Sequence, residues 1–244
     1  MCVWPAEKDH YISAGIIRKG SWMLPGDTVM QRTMVCRLAN ASEAGTSWIA
    51  DVGMNIGTVT LPLLAAGFNV ISFEAFGPNA NMVEATLRAR PPASIATSGQ
   101  SIIVRKAVSE PGAPPDLCLE LAPGSNLGGV KVNVSAQPTM GGTQPCSLSV
   151  PTTTLDAEIR RHLGHRGAAA RVSAVKMDIE GHEHIALKGA TRLFKGNGTH
   201  SRPPSRVFVE AIKNYREIDA FMKEHEFACS KVLPHQHDFV CDHK

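Results

Sequence analysis

The chain has 244 residues, 43% hydrophobic and 19% charged, with 25 Lys and Arg against 22 Asp and Glu. That composition excludes a disordered chain and a coiled coil, and a net charge of +3 is too small for an electrostatic nucleic-acid binder. Met1 to His10 carry Glu7, Lys8 and Asp9 without an apolar run, which is not the pattern of a signal peptide. A strand is expected over Ser47 to Ala50, followed by Asp51 and a glycine turn. Val59 to Ala66 reads as a helix closed by Gly67, and Val70 to Phe73 as a second strand. Asn79 to Arg90 is helical in pattern and stops at Pro91 and Pro92, which cannot donate to a helical ladder.

Ile102 to Val104 with Ala107-Val108 forms a third strand candidate. Residues 111–150 break the rhythm with Gly, Pro, Ser and Thr among short β-like pieces, Leu117 to Leu121 and Val130 to Val134. They read as an insertion at the rim of a sheet, and rim insertions often shape substrate pockets. Thr153 opens a segment with Leu155, Ile159 and Leu163 at helical spacing, and Asp156 three residues on suggests a capping box. Val172 to Ile179 is a fourth strand, followed by a helix with Ile185, Gly189 and Leu193 on one face. Val207 to Val209 is a fifth strand and Tyr215, Ile218 and Met222 mark a helix after it. Phe227 to Val232 and Phe239 to Cys241 form a closing antiparallel pair. Strands alternating with helices argue for an α/β fold around a mostly parallel sheet. The expected organisation is one domain over residues 1–244, with residues 1–46 as an N-terminal cap.

The segment Asp51-Val52-Gly53-Met54-Asn55-Ile56-Gly57 lies between a strand and a helix. Glycine permits the tight turn and close approach of a ligand, and the helix beyond offers free N–H groups. Glu74 falls at the end of the next strand, at the spacing of a carboxylate that grips two ribose hydroxyls. The dinucleotide fingerprint is absent because Asn55 replaces the middle glycine, and no Gly-Lys-Ser or Gly-Lys-Thr follows. Asp51 would repel a diphosphate but could pair with an amino group. Adenosine carrying an amino-acid tail and no phosphate meets those demands, and S-adenosylmethionine is such a ligand. The bland alternative is a glycine turn with no cofactor.

These motifs resemble the FkbM family of S-adenosylmethionine-dependent methyltransferases. The likeness rests on Asp51-Val-Gly-Met-Asn-Ile-Gly-Thr-Val-Thr-Leu61, Phe73-Glu-Ala-Phe-Gly-Pro-Asn79 and Val175-Lys-Met-Asp-Ile-Glu-Gly181. Thr154-Leu155-Asp156, Leu187-Lys-Gly-Ala190 and the strand ending in Glu210 are similar too. The resemblance implies a Rossmann-like class I methyltransferase sheet with six strands parallel and one reversed, helices on both faces. It implies that Asp51, Gly53, Asn55 and Gly57 line the methionine end of the cofactor. Glu74 would hold the ribose, Ala75 would flank the adenosine, and Ala107 would lie close to the adenine.

Lys176, Asp178 and Glu180 would share one face if the strand continues through them. Unpaired charges on a central strand are costly, and ligands bind at the carboxyl edge of open α/β sheets. A structural ion pair is the bland reading. The functional one, preferred for the family likeness, sets Asp178 and Glu180 beside the methyl group and its acceptor. Asp178, Glu180 and His182 are candidate bases, Asp178 first.

Other signals are set aside. His182-Glu183-His184-Ile185-Ala186 lacks the second histidine of a zinc-protease helix. His235, His237, Asp238, Cys241 and His243 could ligate a metal, but a solvated, frayed terminus is the default and no metal is expected. Asn40-Ala-Ser, Asn133-Val-Ser and Asn197-Gly-Thr fit the glycosylation pattern, which arises by chance in any long chain. The six cysteines have no close spacing; their even count permits disulfides, but mostly buried thiols are the default. Trp4, Trp22 and Trp48 are expected to pack an N-terminal cap.

The function expected is O-methylation of a small molecule or sugar hydroxyl, with no nucleic-acid partner and no membrane span in this chain. The cytoplasm is the default compartment unless a targeting segment lies outside it. Acceptor walls are expected from residues 9–36 and 111–150. A non-catalytic nucleoside-binding or scaffold domain, and an NAD-dependent oxidoreductase, are the alternatives.

Overall fold

A computed structural model describes residues 1–10, 12–19, 34–89, 99–121, 127, 130–133, 146, 148–196, 202–211, 213–232 and 237–244. Its centre is a seven-stranded sheet of β1 (Trp48–Val52), β2 (Asn69–Phe73), β3 (Ser101–Val104), β8 (Val172–Met177), β9 (Arg206–Glu210), β10 (Phe227–Lys231) and β11 (Asp238–His243). The strand order is β10-β11-β9-β8-β1-β2-β3. The pairs from β9 across to β3 are parallel, and β11 runs against both of its neighbours. Six strands therefore point one way and one is reversed, as the family likeness implies.

Both faces are covered, which explains the near-continuous apolar strands. Trp48, Ala50 and Val52 of β1 join a core with Leu155, Ile159 and Leu163 of α4 (Leu155–Leu163) and with Ile218 and Met222 of α7 (Tyr215–Glu224). Ile49 points the other way, to a core with Leu63 and Leu64 of α2 (Thr60–Ala65) and Leu38. The two remaining long pieces are α1 (Ile12–Lys19), in the N-terminal segment, and α3 (Gly77–Arg88), after β2.

The strand expected over residues 102–108 is divided. Its second half, β4 (Ala107–Val108), pairs with β7 (Leu148–Thr153) in a separate four-stranded sheet with β5 (Asp116–Glu120) and β6 (Lys131–Asn133). The rim segment thus brings four strands beyond the seven, with antiparallel pairing at β5·β6 and β5·β7. The helix expected from Ile185 to Leu193 is two, α5 (Glu183–Lys188) and α6 (Thr191–Lys195). They part at Gly189, where a β-carbon would overlap the Ser109 carbonyl oxygen. Asp156 caps α6, not its own helix: its carboxylate accepts from Arg192 N at 2.8 Å and Leu193 N at 2.9 Å. Thr154 is the cap of α4, accepting from Ala157 N.

Four of the six cysteines are paired, contrary to the expected buried thiols. Cys118 of β5 bonds Cys146, and Cys229 of β10 bonds Cys241, its register partner on β11. Sequence spacing could not reveal these pairs, because the fold alone brings the partners together. Nor is the terminus frayed, since β11 lies between β10 and β9. Cys241 is committed to its disulfide, which removes it from a metal set. His235 and Trp22 lie outside the described residues. Trp4 does pack the N-terminal segment, bonding Asn79 Oδ1 through Nε1 at 2.9 Å, whereas Trp48 belongs to β1 itself.

Candidate active site

Period-two alternation builds the site. On the face packed by α2, the strands carry Ile49, Val70, Ala174, Phe208 and Val240 in the core. Two residues nearer the carboxyl edge of the parallel strands, the same face carries Asp51, Ser72, Lys176 and Glu210, and the reversed β11 adds Asp238. One further step reaches Gly53, Glu74 and Asp178. Buried polar groups are costly unless bonded, so these side chains answer one another.

The innermost layer is an ion-pair network. Thr60 Oγ1 donates to Asp51 Oδ2 at 2.6 Å and lies 2.8 Å from Ser72 Oγ. Lys176 Nζ lies 3.5 Å from Asp51 Oδ1 and 3.4 Å from Asp178 Oδ2, and donates to the Gly53 carbonyl at 2.6 Å. Burial works against the Lys176 charge, but the Asp178 and Asp51 carboxylates outweigh it and hold the ammonium above its ordinary range. Burial pushes the Asp51 carboxyl up, opposed by Lys176 and Thr60.

Above that layer lies the glycine turn. Gly53 has φ +85°, and a β-carbon there would overlap the Asp178 carbonyl oxygen, so only glycine lets the turn pass beneath the end of β8. Gly53 N and Met54 N both donate to the Phe73 carbonyl, at 3.0 and 2.9 Å. Asn55 takes φ +53°, its N–H donating to Glu74 Oε2 at 2.7 Å, while Phe76 N donates to Glu74 Oε1 at 2.8 Å. Burial raises the Glu74 carboxyl to about 7 against these two donors. The turn and the acid are thus one hydrogen-bonded unit.

The second cluster departs from expectation. β8 ends at Met177, and Asp178 N donates to the Val52 carbonyl just beyond it. Glu180 does not continue the strand: it has φ +59° and Gly181 φ +99°, in a turn closed by Glu183 Oε1, which accepts from Ile179 N and Gly181 N. Glu180 Oε2 then faces Lys131 Nζ of the rim sheet at 3.9 Å. Burial, with the Asp178 charge, raises the Glu180 carboxyl. Burial first, then the neighbouring Asp178 carboxylate, raise the Glu210 carboxyl to about 9. Asp238 rises to about 6 for the same two reasons. Carboxylate oxygens of Asp178, Glu183 and Glu210 lie within 4.8 Å of one another. His182 Nε2 lies 3.2 Å from Ser109 Oγ, and burial lowers the imidazole to about 4, so the ring is neutral at pH 7.

A cavity of about 760 Å³ opens on this edge. Gly53, Asn55, Glu74, Ala75 and Ala107 line it, and so do Asp178 and Glu180. Asp51 and Gly57 do not. Asp51 is fully buried, and the ammonium it meets is the chain's own Lys176; Gly57 sits beneath Leu61 and Val83. Both lie behind the turn, with Asp51 Oδ1 left without a hydrogen-bond partner among the described residues. Arg18 and Lys19 of α1 and Leu119 and Val132 of the rim sheet supply opposing walls. These fall in the two segments expected to wall an acceptor. Sequence reasoning missed Glu210 and Asp238 as site residues, although an acid at the edge end of an apolar strand is the same signal that marks Asp178.

The family model described as the methyltransferase FkbM domain matches residues 51–229. No curated protein matches the chain. Among solved structures, magnesium protoporphyrin IX methyltransferase from Synechocystis PCC 6803 with bound SAH is similar at 11% identity and TM-score 0.47, over 90% of this chain and 84% of that one. The same protein with bound SAM gives 12% and 0.46, over 99% of each chain. An rRNA methylase from Streptococcus thermophilus gives 12% and 0.43, over 87% of this chain and 95% of that one.

Proposed function

The chain belongs to the FkbM methyltransferase family, and on that premise we propose that it methylates a hydroxyl of a small molecule or sugar. Its fold is the Rossmann-like class I methyltransferase sheet and its cofactor is S-adenosylmethionine. When bound, that cofactor supplies an electrophilic methyl group on a sulfonium sulfur. The observation that carries the reading is the single cavity shared by the Gly53 turn, Glu74 and Asp178.

The residues fit the cofactor. Each Glu74 oxygen accepts one backbone N–H and keeps a lone pair toward the cavity, the chemistry a ribose diol needs. Gly53 and Asn55 offer the amino-acid end an approach to backbone, and Ala75 and Ala107 offer the base small apolar walls. Asp51 holds Lys176, which in turn fixes the Gly53 carbonyl and Asp178.

A hydroxyl must lose its proton as it attacks, and a carboxylate oxygen of Asp178 is our first choice to take it. Its side chain is 44% exposed, so it reaches an acceptor while tied to Lys176. Glu180 and His182 border the same space as second candidates. The small net charge of the chain favours a neutral acceptor over a nucleic acid.

Calorimetry and turnover test this together. Glu74→Ala is expected to weaken S-adenosylhomocysteine binding at least tenfold; unchanged binding removes the ribose assignment. Asp178→Asn is expected to retain that binding and to lose at least a hundredfold in methyl transfer to a neutral sugar or phenol acceptor. Thermal stabilisation by NAD and not by S-adenosylhomocysteine would overturn the whole reading.

A further inference from the structure

Two cross-links and one exposed sequon share a chemistry that methyl transfer does not use. The Cys118–Cys146 bond ties β5 to the segment before β7, with 5.4 Å between the Cα atoms. The Cys229–Cys241 bond joins directly opposed residues of β10 and β11, at 4.0 Å. Thiols held in such pairs in a reducing cytosol stay reduced, whereas secretory lumens oxidise them. Each bond forms when two thiols pass two electrons and two protons to a dithiol–disulfide oxidoreductase of that lumen. Cys2 and Cys36 stand outside this pairing.

The same lumen modifies asparagine in the Asn-X-Ser/Thr pattern. Of the three such asparagines, Asn197 lies outside the described residues and the side chain of Asn133 is not described. Asn40 is exposed at the end of the helical residues 34–40, and it does not line the cavity. A glycan there would leave the cofactor and acceptor space open. The sequon hydroxyl is engaged in the folded chain, since Ser42 Oγ lies 2.6 Å from Ser173 Oγ. Modification must therefore precede closure of this contact.

We propose that the chain matures in an oxidising secretory lumen and carries an N-linked glycan on Asn40. The bond formed runs from Asn40 Nδ2 to the anomeric carbon of an oligosaccharide donated by a polyprenyl diphosphate. The bond broken is that between the anomeric carbon and the diphosphate oxygen, which leaves with the electron pair as Nδ2 loses one proton. This inference does not depend on the identity of the methyl acceptor.

The test takes the full-length protein from its own cells, alkylates it without reduction, and maps peptides before and after treatment with a peptide N-glycanase. The expected result is linked Cys118–Cys146 and Cys229–Cys241 peptides, with an Asn40 peptide that appears only after treatment, as Asp at that position. Free, alkylated thiols at all six cysteines overturn the lumen, and an unmodified Asn40 peptide before treatment overturns the site. In the same cells Asn40→Gln is expected to run faster on a gel by one glycan. Unchanged mobility would also overturn the assignment.

Discussion

Asp51 and Glu74 are both buried carboxyls on one face of the sheet, yet they meet different partners. Glu74 reaches the cavity, while Asp51 is spent on Thr60 and Lys176. Period two identifies the face on which a residue lies but not its depth, which is why the two read alike in the sequence. Glu74 was legible because strand, turn and acid recur at a fixed spacing. Glu210 and Asp238 carry the signal of an acid at the edge end of a strand, but that their strands meet beside Asp178 is known only once the sheet is formed. Asp51→Asn separates the two roles. It leaves Lys176 with one carboxylate fewer, and breaking a buried pair costs about 3 kcal/mol. Urea denaturation should register that loss, while the affinity for S-adenosylhomocysteine changes less than threefold in calorimetry at a temperature where the variant is folded. A loss of affinity matching that of Glu74→Ala would return Asp51 to the cofactor.

At the scale of elements, alternation and helix breakers were enough to locate the seven strands of the main sheet. What they could not foresee was where the chain leaves the sheet. Ala107-Val108 looks like more of β3 but pairs with Thr152 and Thr153, so the rim segment is a sheet fastened to the cavity. The Cys118–Cys146 bond closes that sheet around a gap of 28 residues, a loop for which chain entropy gives about 3.6 kcal/mol of constraint. Leu119 and Val132 on it wall the cavity opposite the main sheet. Cys118→Ser should therefore speed amide exchange through β5, β6 and β7 and leave β1, β2 and β8 as slow as before. S-adenosylhomocysteine affinity should stay within about threefold, because Gly53 and Glu74 belong to the other sheet. Equal loosening of both sheets would mean that the rim is part of a single cooperative core.

Over the whole molecule the charges are nearly balanced, but their burial is not. The raised carboxyls of Glu74, Asp238 and Glu210 gather at one edge, and the buried His182 lies beside them. A carboxyl whose folded pKa is raised adds stability that is complete below its unfolded value and is lost as pH climbs through the folded one. For Asp238 that loss is finished near pH 6 and for Glu74 near pH 7, whereas Glu210 extends it to about 9. His182 acts oppositely: its folded pKa of about 4 lies below the unfolded value, so its contribution is lost as pH falls from 6.5 toward 4. Glu84 and Glu158, lowered mainly by Arg105 and Lys106 pairing, add to the loss on the acid side. The opposing slopes meet in the mildly acid range, and above pH 7 only Glu210 among these groups still titrates. The ligand-free protein should thus be most stable near pH 6 and weaken toward pH 9 by about 2 kcal/mol, allowing for partial solvent screening. In a chain of this size that is a fall of roughly 5 °C in melting temperature. Glu210→Gln removes one titrating group, so its melting temperature should fall less than that of the wild type between pH 7 and 9. A variant that retains the wild-type slope would assign the titration to another residue.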